Sequence, residues 1–168
     1  MAHFQTIRPE ELGGDVFTRI GKQWMLVSAG DDQASNMMTA SWGGLGVLWN
    51  KPVSTIYIRP SRYTLEFLEK EDYYALSFLP EEHRDAHKIC GSRSGRDLDK
   101  AAAAGLHVCH DQKAPYYEEA ELVLICRKLY VQDMTLDGFV DRDLIDKNYG
   151  SGDLHRVFVG EIETVLKR

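Results

Sequence analysis

Strand-like segments follow one another along this chain without a helix between each pair. Val16–Ala29, Ser35–Trp42 and Pro52–Ile58 mix β-branched, aromatic and small residues, and Tyr73–Phe78, Leu106–His110, Ala120–Gln132 and His155–Leu166 continue the pattern. A doubly wound sheet requires a helix after nearly every strand. Its absence favours a mainly β fold, an antiparallel β-barrel with short helices. At 168 residues, residues 1–168 are expected to form a single domain with a substantial core.

Breakers divide the segments. Gly21-Lys22 predicts a hairpin turn inside Val16–Ala29, and Gly30-Asp31-Asp32 a second turn. Gly43-Gly44-Leu45-Gly46 reads as a flexible loop. Pro60 ends a strand, and Ser61 is placed to cap a helix running to Lys70. Pro80 predicts a helix to Ile89, with Glu81 and Glu82 offsetting the positive end of its dipole. Cys90–Gly95 reads as a loop, Asp97 as the cap of a helix closed by Gly105, and Asp141–Lys147 as a brief helix.

Composition excludes several function classes. A net charge of −6 argues against nucleic-acid binding, which needs a basic face. The charge is uneven: Arg84, Lys88, Arg93 and Arg96 face only Asp85 in their stretch, whereas residues 111–146 carry nine acids against four bases. A local positive patch on an acidic chain suits a small anion better than a polymer. Cys90, Cys109 and Cys126 are widely spaced and odd in number, which predicts free thiols and a reducing cytoplasm. No apolar run approaches the roughly 18 residues of a membrane helix, and no signal-peptide layout is present; the expectation is a cytoplasmic protein with no membrane or nucleic-acid partner.

Two neighbouring stretches carry ligand chemistry. Met38, Thr39, Ala40, Ser41 and Trp42 form a strand whose small residues let its backbone approach a flat ring and hydrogen-bond the ring's edge; an ordinary strand with a core Trp has the same pattern. Arg59, Ser61, Arg62, Tyr63 and Thr64 gather guanidinium and hydroxyl donors around a helix start, as a phosphate monoester requires, although a capped helix with solvated arginines fits too. A flat heterocycle with one terminal phosphate describes FMN. Cys90, Gly91, Ser94, Gly95 and Arg96 belong to a Gly/Ser/Arg loop able to wrap an anion or to act as a plain connector. Competing motifs fail on spacing. Gly44-Leu45-Gly46-Val47-Leu48-Trp49 ends in Trp where a dinucleotide turn needs Gly. His107, Cys109 and His110 alternate faces, which leaves no zinc set, so no metal is expected. His83 and His87, four apart, would share a wet helix face, with His87 alternatively reaching the ligand.

Asn36-Met37-Met38-Thr39-Ala40-Ser41-Trp42, Arg59 to Thr64, Ala75-Leu76-Ser77-Phe78 and Val157-Phe158-Val159-Gly160-Glu161-Ile162 together resemble the flavin reductase-like, FMN-binding split-barrel family over Asp15–Leu166. The flavoredoxin branch is nearest in pattern. The resemblance implies a split-barrel homodimer with FMN held near the subunit interface. It implies Met38–Ser41 along the isoalloxazine and ribityl side, Arg59 and Thr64 at the phosphate with Ser61, Arg62 and Tyr63, and Ser77 and Phe78 on a second flavin-contacting strand. Two departures stand out: Asn50-Lys51-Pro52 replaces a common double proline, and Arg93–Asp97 is longer and more basic than usual.

The function expected is an oxidoreductase passing electrons from NADH or NADPH through FMN to an acceptor. The cofactor carries that chemistry, so no catalytic triad is required. Trp49 or Tyr63 would stack on a nicotinamide, and Arg93 or Arg96 would bind dinucleotide phosphates. The alternative expectation is an FMN-containing electron-transfer protein charged by a redox partner docked on the acidic stretch 111–146. A purely structural barrel remains the third reading.

Overall fold

The computed structural model describes residues 3–168. Its strands are β1 (Gln5–Ile7), β2 (Met25–Gly30), β3 (Ser35–Ala40), β4 (Gly43–Leu48), β5 (Lys51–Ile58), β6 (Tyr73–Phe78), β7 (Val108–Cys109), β8 (Tyr116–Tyr117), β9 (Leu122–Asp133) and β10 (Arg156–Lys167). Its α-helices are α1 (Val16–Thr18), α2 (Thr64–Lys70), α3 (Ala86–Ser92), α4 (Lys100–Ala104) and α5 (Asp143–Tyr149). The main sheet is antiparallel, with strands in the order β3-β2-β6-β9-β10-β5-β4 and β1 added beside β10. The expected mainly β barrel is the fold the chain adopts.

Closure follows from chain geometry. The strands at the two ends of the hydrogen-bonded path, β3 and β4, are consecutive in sequence, and only Ser41 and Trp42 separate them. So short a link reaches only about 10 Å, so the ends of the sheet must curl round to meet. They meet without pairing, and the barrel is split along this seam.

Side-chain alternation gives the wall two buried faces. Met25, Val27, Met38, Ala40, Tyr74, Leu76, Phe78, Leu122 and Leu124 fill the barrel interior. The intervening Leu26, Met37, Ala75, Val123 and Ile125 face outward, beneath α3, α4 and the β7–β8 hairpin. A one-residue register slip would therefore exchange two cores at once. Inside the barrel, Tyr74 Oη lies 2.6 Å from Ser54 Oγ, and Ser54 Oγ donates to Cys126 Sγ. Gly160, at a register shift in β10, makes room for that ring: a Cβ there would stand 2.5 Å from Tyr74 Oη.

Several sequence expectations are corrected. Val16–Ala29 is not a hairpin turning at Gly21-Lys22: α1 runs into a π-helical turn, Arg19–Gln23, before β2. Asp15 caps it, accepting from Phe17 N at 3.0 Å and from Thr18 Oγ1. Val16 and Ile20, four apart, put a helical face on the barrel interior. Gly43–Gly46 is a strand, not a loop. Gly43 lies close to the wall, where a Cβ would stand 2.9 Å from the Thr55 carbonyl oxygen. The β4–β5 turn is a two-residue link in which Trp49 and Asn50 both have positive φ, the hairpin geometry that suits strand twist.

Helix starts also differ. Ser61 caps nothing and instead donates to Asp153 Oδ2 at 2.7 Å. Asp99, not Asp97, caps α4, accepting from Ala102 N. The Pro80–Ile89 helix is broken into a 3-10 turn, Glu81–His83, and α3, so His83 and His87 do not share one continuous helix. Cys90, Gly91 and Ser92 form the last turn of α3 and are not loop. All three cysteines are free, and burial pushes the Cys90 thiol up to about 11. Among the described residues no helix is long and apolar enough to cross a membrane.

Candidate functional site

The split seam carries two adjoining cavities. One, of about 150 Å³, is walled by Met38, Thr39, Ala40, Ser41 and Trp42 on one side and by Tyr57, Arg59, Arg62 and His155 on the other. β5 and β10 bring the second side to the seam, with Val157 opposite Tyr57. Because β4 does not pair with β3, the backbone polar groups of this edge of β3 meet no strand among the described residues. Aromatic rings surround the mouth: the His155 imidazole lies 5.4 Å from the half-exposed Trp42 and 6.4 Å from Tyr57. Its Nδ1 is 2.7 Å from Tyr149 Oη. Burial, reinforced by Arg59, holds the imidazole below the usual histidine pKa.

The second cavity, of about 130 Å³, shares Met38 and Arg62 with the first. Its walls include Ser61, Tyr63 and Thr64 from the start of α2, and Arg93, Ser94 and Gly95 from the loop after α3. Asn36, Ser92 and Lys100 complete it. Among the described residues three cations and no carboxylate line this space. Arg62 uses one N–H on the Gly91 carbonyl, at 2.8 Å, and four of its five donors remain. Thr64 Oγ1 accepts from Asn36 Nδ2 at 2.8 Å and keeps its own proton to give. Gly95 is needed here, since a Cβ would meet Asn36 Oδ1 at 2.1 Å. With α2 only seven residues long and starting at Thr64, side chains rather than a long helix dipole supply the positive field.

Arg59 faces the first cavity. Its guanidinium donates to the Asn148 and Asp153 carbonyls, at 2.9 and 3.1 Å, and lies over the Tyr149 ring. It thereby ties the end of α5 and the segment after it to the seam. The remaining candidates lie further back. Arg96 stacks on Tyr63 at 4.4 Å and pairs with Glu66. Cys90 is fully buried beneath the outer face, and Gly91 touches Thr39, its carbonyl held by Arg62. Ser77 and Phe78 line neither cavity and are completely buried. Ser77 shares a row with Leu26 and Thr39 under α3, and its Oγ has no partner among the described residues. Trp49 stands at the exposed hairpin tip beside Tyr130.

His87 packs behind the site. Thr39 Oγ1 donates to the His87 carbonyl at 2.9 Å, and His87 Nδ1, 3.3 Å from Thr39 Oγ1, is left to donate to that hydroxyl. Nε2 is buried without a partner among the described residues, and desolvation lowers the imidazole pKa to about 4. The neutral ring braces β3 against α3. Sequence reasoning assigned no role to Asn36, Tyr57, Lys100, Asp153 or His155. Only Asn36 carried a signal, as the first residue of the Asn36–Trp42 stretch.

The family model for the flavin reductase like domain matches residues 17–168. The chain belongs to this family. Solved structures share its fold. Flavoredoxin from Methanosarcina acetivorans is 22% identical at a TM-score of 0.69, with 87% of this chain and 68% of that one covered. An FMN-binding domain of a flavin reductases-like enzyme from Shewanella baltica is 15% identical, at 0.70 over 98% and 77%. The NADH:FAD oxidoreductase SgcE6 of Streptomyces globisporus is 18% identical, at 0.65 over 87% and 75%. No curated protein sequence matches this flavin reductase-like chain.

Proposed function

We propose that this flavin reductase-like protein binds FMN and passes electrons from NADH or NADPH through it to an acceptor. The observation that carries the reading is the pair of cavities joined at Met38 and Arg62. Each is smaller than the roughly 300 Å³ at which a pocket encloses a whole small-molecule ligand, and their chemistries differ. The cationic, hydroxyl-lined cavity matches a phosphate. The seam, with its exposed strand edge and aromatic mouth, matches a flat ring with polar edges. One ligand with both ends fits the two together, and the cradle that Gly95 leaves open against Asn36 belongs to the same fit.

In this reading Arg62, Thr64 and Ser94 hold the phosphate, with Ser61, Tyr63, Gly95 and Arg96 shaping its surroundings. Met38–Trp42 orient the ring through their backbone. Arg59 keeps the segment after α5 closed over the seam, and His155 and Trp42 limit water at the mouth. When bound, FMN supplies the two-electron chemistry between a reduced nicotinamide and an acceptor. FMN-loaded protein mixed anaerobically with NADH, then with NADPH, is expected to lose its yellow absorbance with at least one donor. If the colour persists with both, the nicotinamide-dependent reading is wrong and charging by a redox partner takes its place. A colourless protein that takes up no added FMN removes both.

The homodimer belongs to the same proposal. Val47, Trp49 and Tyr130 are large apolar side chains left exposed around the β4–β5 hairpin, Val47 at 78% and the Trp49 and Tyr130 rings 6.4 Å apart, and grouped exposed apolar surface marks an interaction site. Sedimentation velocity is expected to show a species of twice the 19.1 kDa chain mass; Trp49→Lys should shift it to one chain. A wild-type monomer at micromolar concentration would remove the dimer.

A further inference from the structure

A third cavity, of about 620 Å³, adjoins the seam cavity and shares Ser41, Trp42 and Tyr57 with it. Among the described residues no charged side chain lines it. Aromatic rings stand at its rim, where Phe17 is 89% exposed and Trp42 49%. Phe17 and Gly21 are four apart, so the α1 turn, whose Val16 and Ile20 pack on the barrel interior, gives a second face to this cavity. Gly21 and Gly44 stand in the wall without a local need for glycine. Neither has a positive φ, and a Cβ on either would meet nothing within 4 Å. Backbone conformation and packing leave both positions open to larger residues, and their smallness keeps the cavity wide. Its polar side chains are hydroxyls. Tyr149 Oη is engaged at 2.7 Å with His155 Nδ1, which leaves Ser41 and Tyr57 to donate to a ligand's carbonyl.

We propose that this cavity receives the electron acceptor, and that the acceptor is an uncharged, planar aromatic carbonyl compound of the quinone class. The inference rests on the flavin reading above and names the acceptor that it leaves open. The volume falls within the roughly 300–1,000 Å³ of small-molecule sites, and the apolar, aromatic wall matches a ring. Burying an unpaired charge there is costly, which excludes a free phosphorylated flavin and the pyrophosphate of a dinucleotide. The shared Ser41, Trp42 and Tyr57 set the occupant beside the ring held at the seam. The transfer balances. NADH or NADPH gives a hydride to FMN, and water supplies a proton. The quinone takes two electrons and two protons, becomes a hydroquinone and returns the flavin to its oxidised form.

The test is equilibrium dialysis of the wild type, Gly44→Val and Phe17→Ala against two quinones. One is 2,3-dimethyl-1,4-naphthoquinone, whose methyl groups block addition of thiols. The other is 2-hydroxy-1,4-naphthoquinone, an anion of similar shape at pH 7. Both are run with FMN-loaded and with flavin-free protein, and thermal melting checks each fold. The wild type is expected to prefer the neutral quinone by about tenfold or more. Gly44→Val should weaken it by about tenfold by filling the cavity, with FMN affinity within about twofold of wild type. Phe17→Ala should weaken it by about two- to tenfold, and it serves alone if Gly44→Val does not fold. In anaerobic stopped flow the neutral quinone should restore the yellow of the reduced protein. Gly44→Val should raise the quinone concentration required and leave bleaching by nicotinamide unchanged. Equal binding of the two quinones overturns the proposal, as does binding that neither substitution alters. Equal loss of FMN and quinone in Gly44→Val also overturns it, since the space then belongs to the flavin, and so does a Gly44→Val shift to one chain in sedimentation, since the space then lies between copies. A protein that takes up no FMN yet binds the neutral quinone in a Gly44-dependent way supports the ligand class and refutes only the flavin reading. A protein that binds neither refutes both.

Discussion

Replacing Phe78 by alanine is expected to lower folding stability by about 3–5 kcal/mol, a large share of the roughly 5–15 kcal/mol that holds such a fold together. The ring is completely buried inside the barrel, opposite Leu122 in the β6–β9 ladder, with the Arg19 guanidinium 5.6 Å from its centroid. Its removal leaves a void that β6, paired on both sides, is poorly able to close. Urea denaturation checks this through a shifted midpoint at unchanged slope. FMN affinity per folded molecule should stay within about twofold. A loss under about 1 kcal/mol, accompanied by weakened FMN binding, would return Phe78 to the ligand.

The largest effect on the ligand is expected from Arg62→Ala. Arg62 is the charged side chain common to both cavities, and its loss should weaken FMN by about 1.5–3 kcal/mol, roughly ten- to over a hundredfold, with little change for riboflavin. Arg59→Ala provides the contrast. It removes two bonds to the segment holding Asn148 and Asp153, so FMN and riboflavin should weaken together. Fluorescence titration of both flavins separates the two arginines. If Arg62→Ala leaves the FMN-to-riboflavin ratio intact, the second cavity is not where the phosphate sits.

β5, β6 and β10 were legible to within a residue or two because β-branched and aromatic side chains mark them. β4 was hidden by Gly43, Gly44 and Gly46, which signal a loop locally, although Gly43 here permits close packing on the Thr55 backbone. The Val16–Gln23 turn was hidden for the opposite reason: Val16, Phe17 and Ile20 have strand propensity, while the Asp15 cap and the i,i+4 spacing of Val16 and Ile20 governed. Local runs of sequence reported the site best, so 38–42 and 61–64 were found together. Lys100 and His155 were not, because strand pairing and the packing of α4 on β3 bring them in from afar. The Arg59–Asp153 bond closes 94 residues of chain. Nothing in sequence distinguishes a lysine sealed beneath a strand from one in water.

The link at Ser41 and Trp42 keeps β3 beside β4 at every stage, but the facing wall of the cleft is complete only when β10 pairs with β5 and brings His155 to Tyr57 and Arg59. An intermediate without β10 in place offers an unfinished cleft. Occupancy by any small molecule there would thus report a fully assembled molecule, and ligand would act late, drawing finished copies out of the refolding pool rather than guiding the earlier steps.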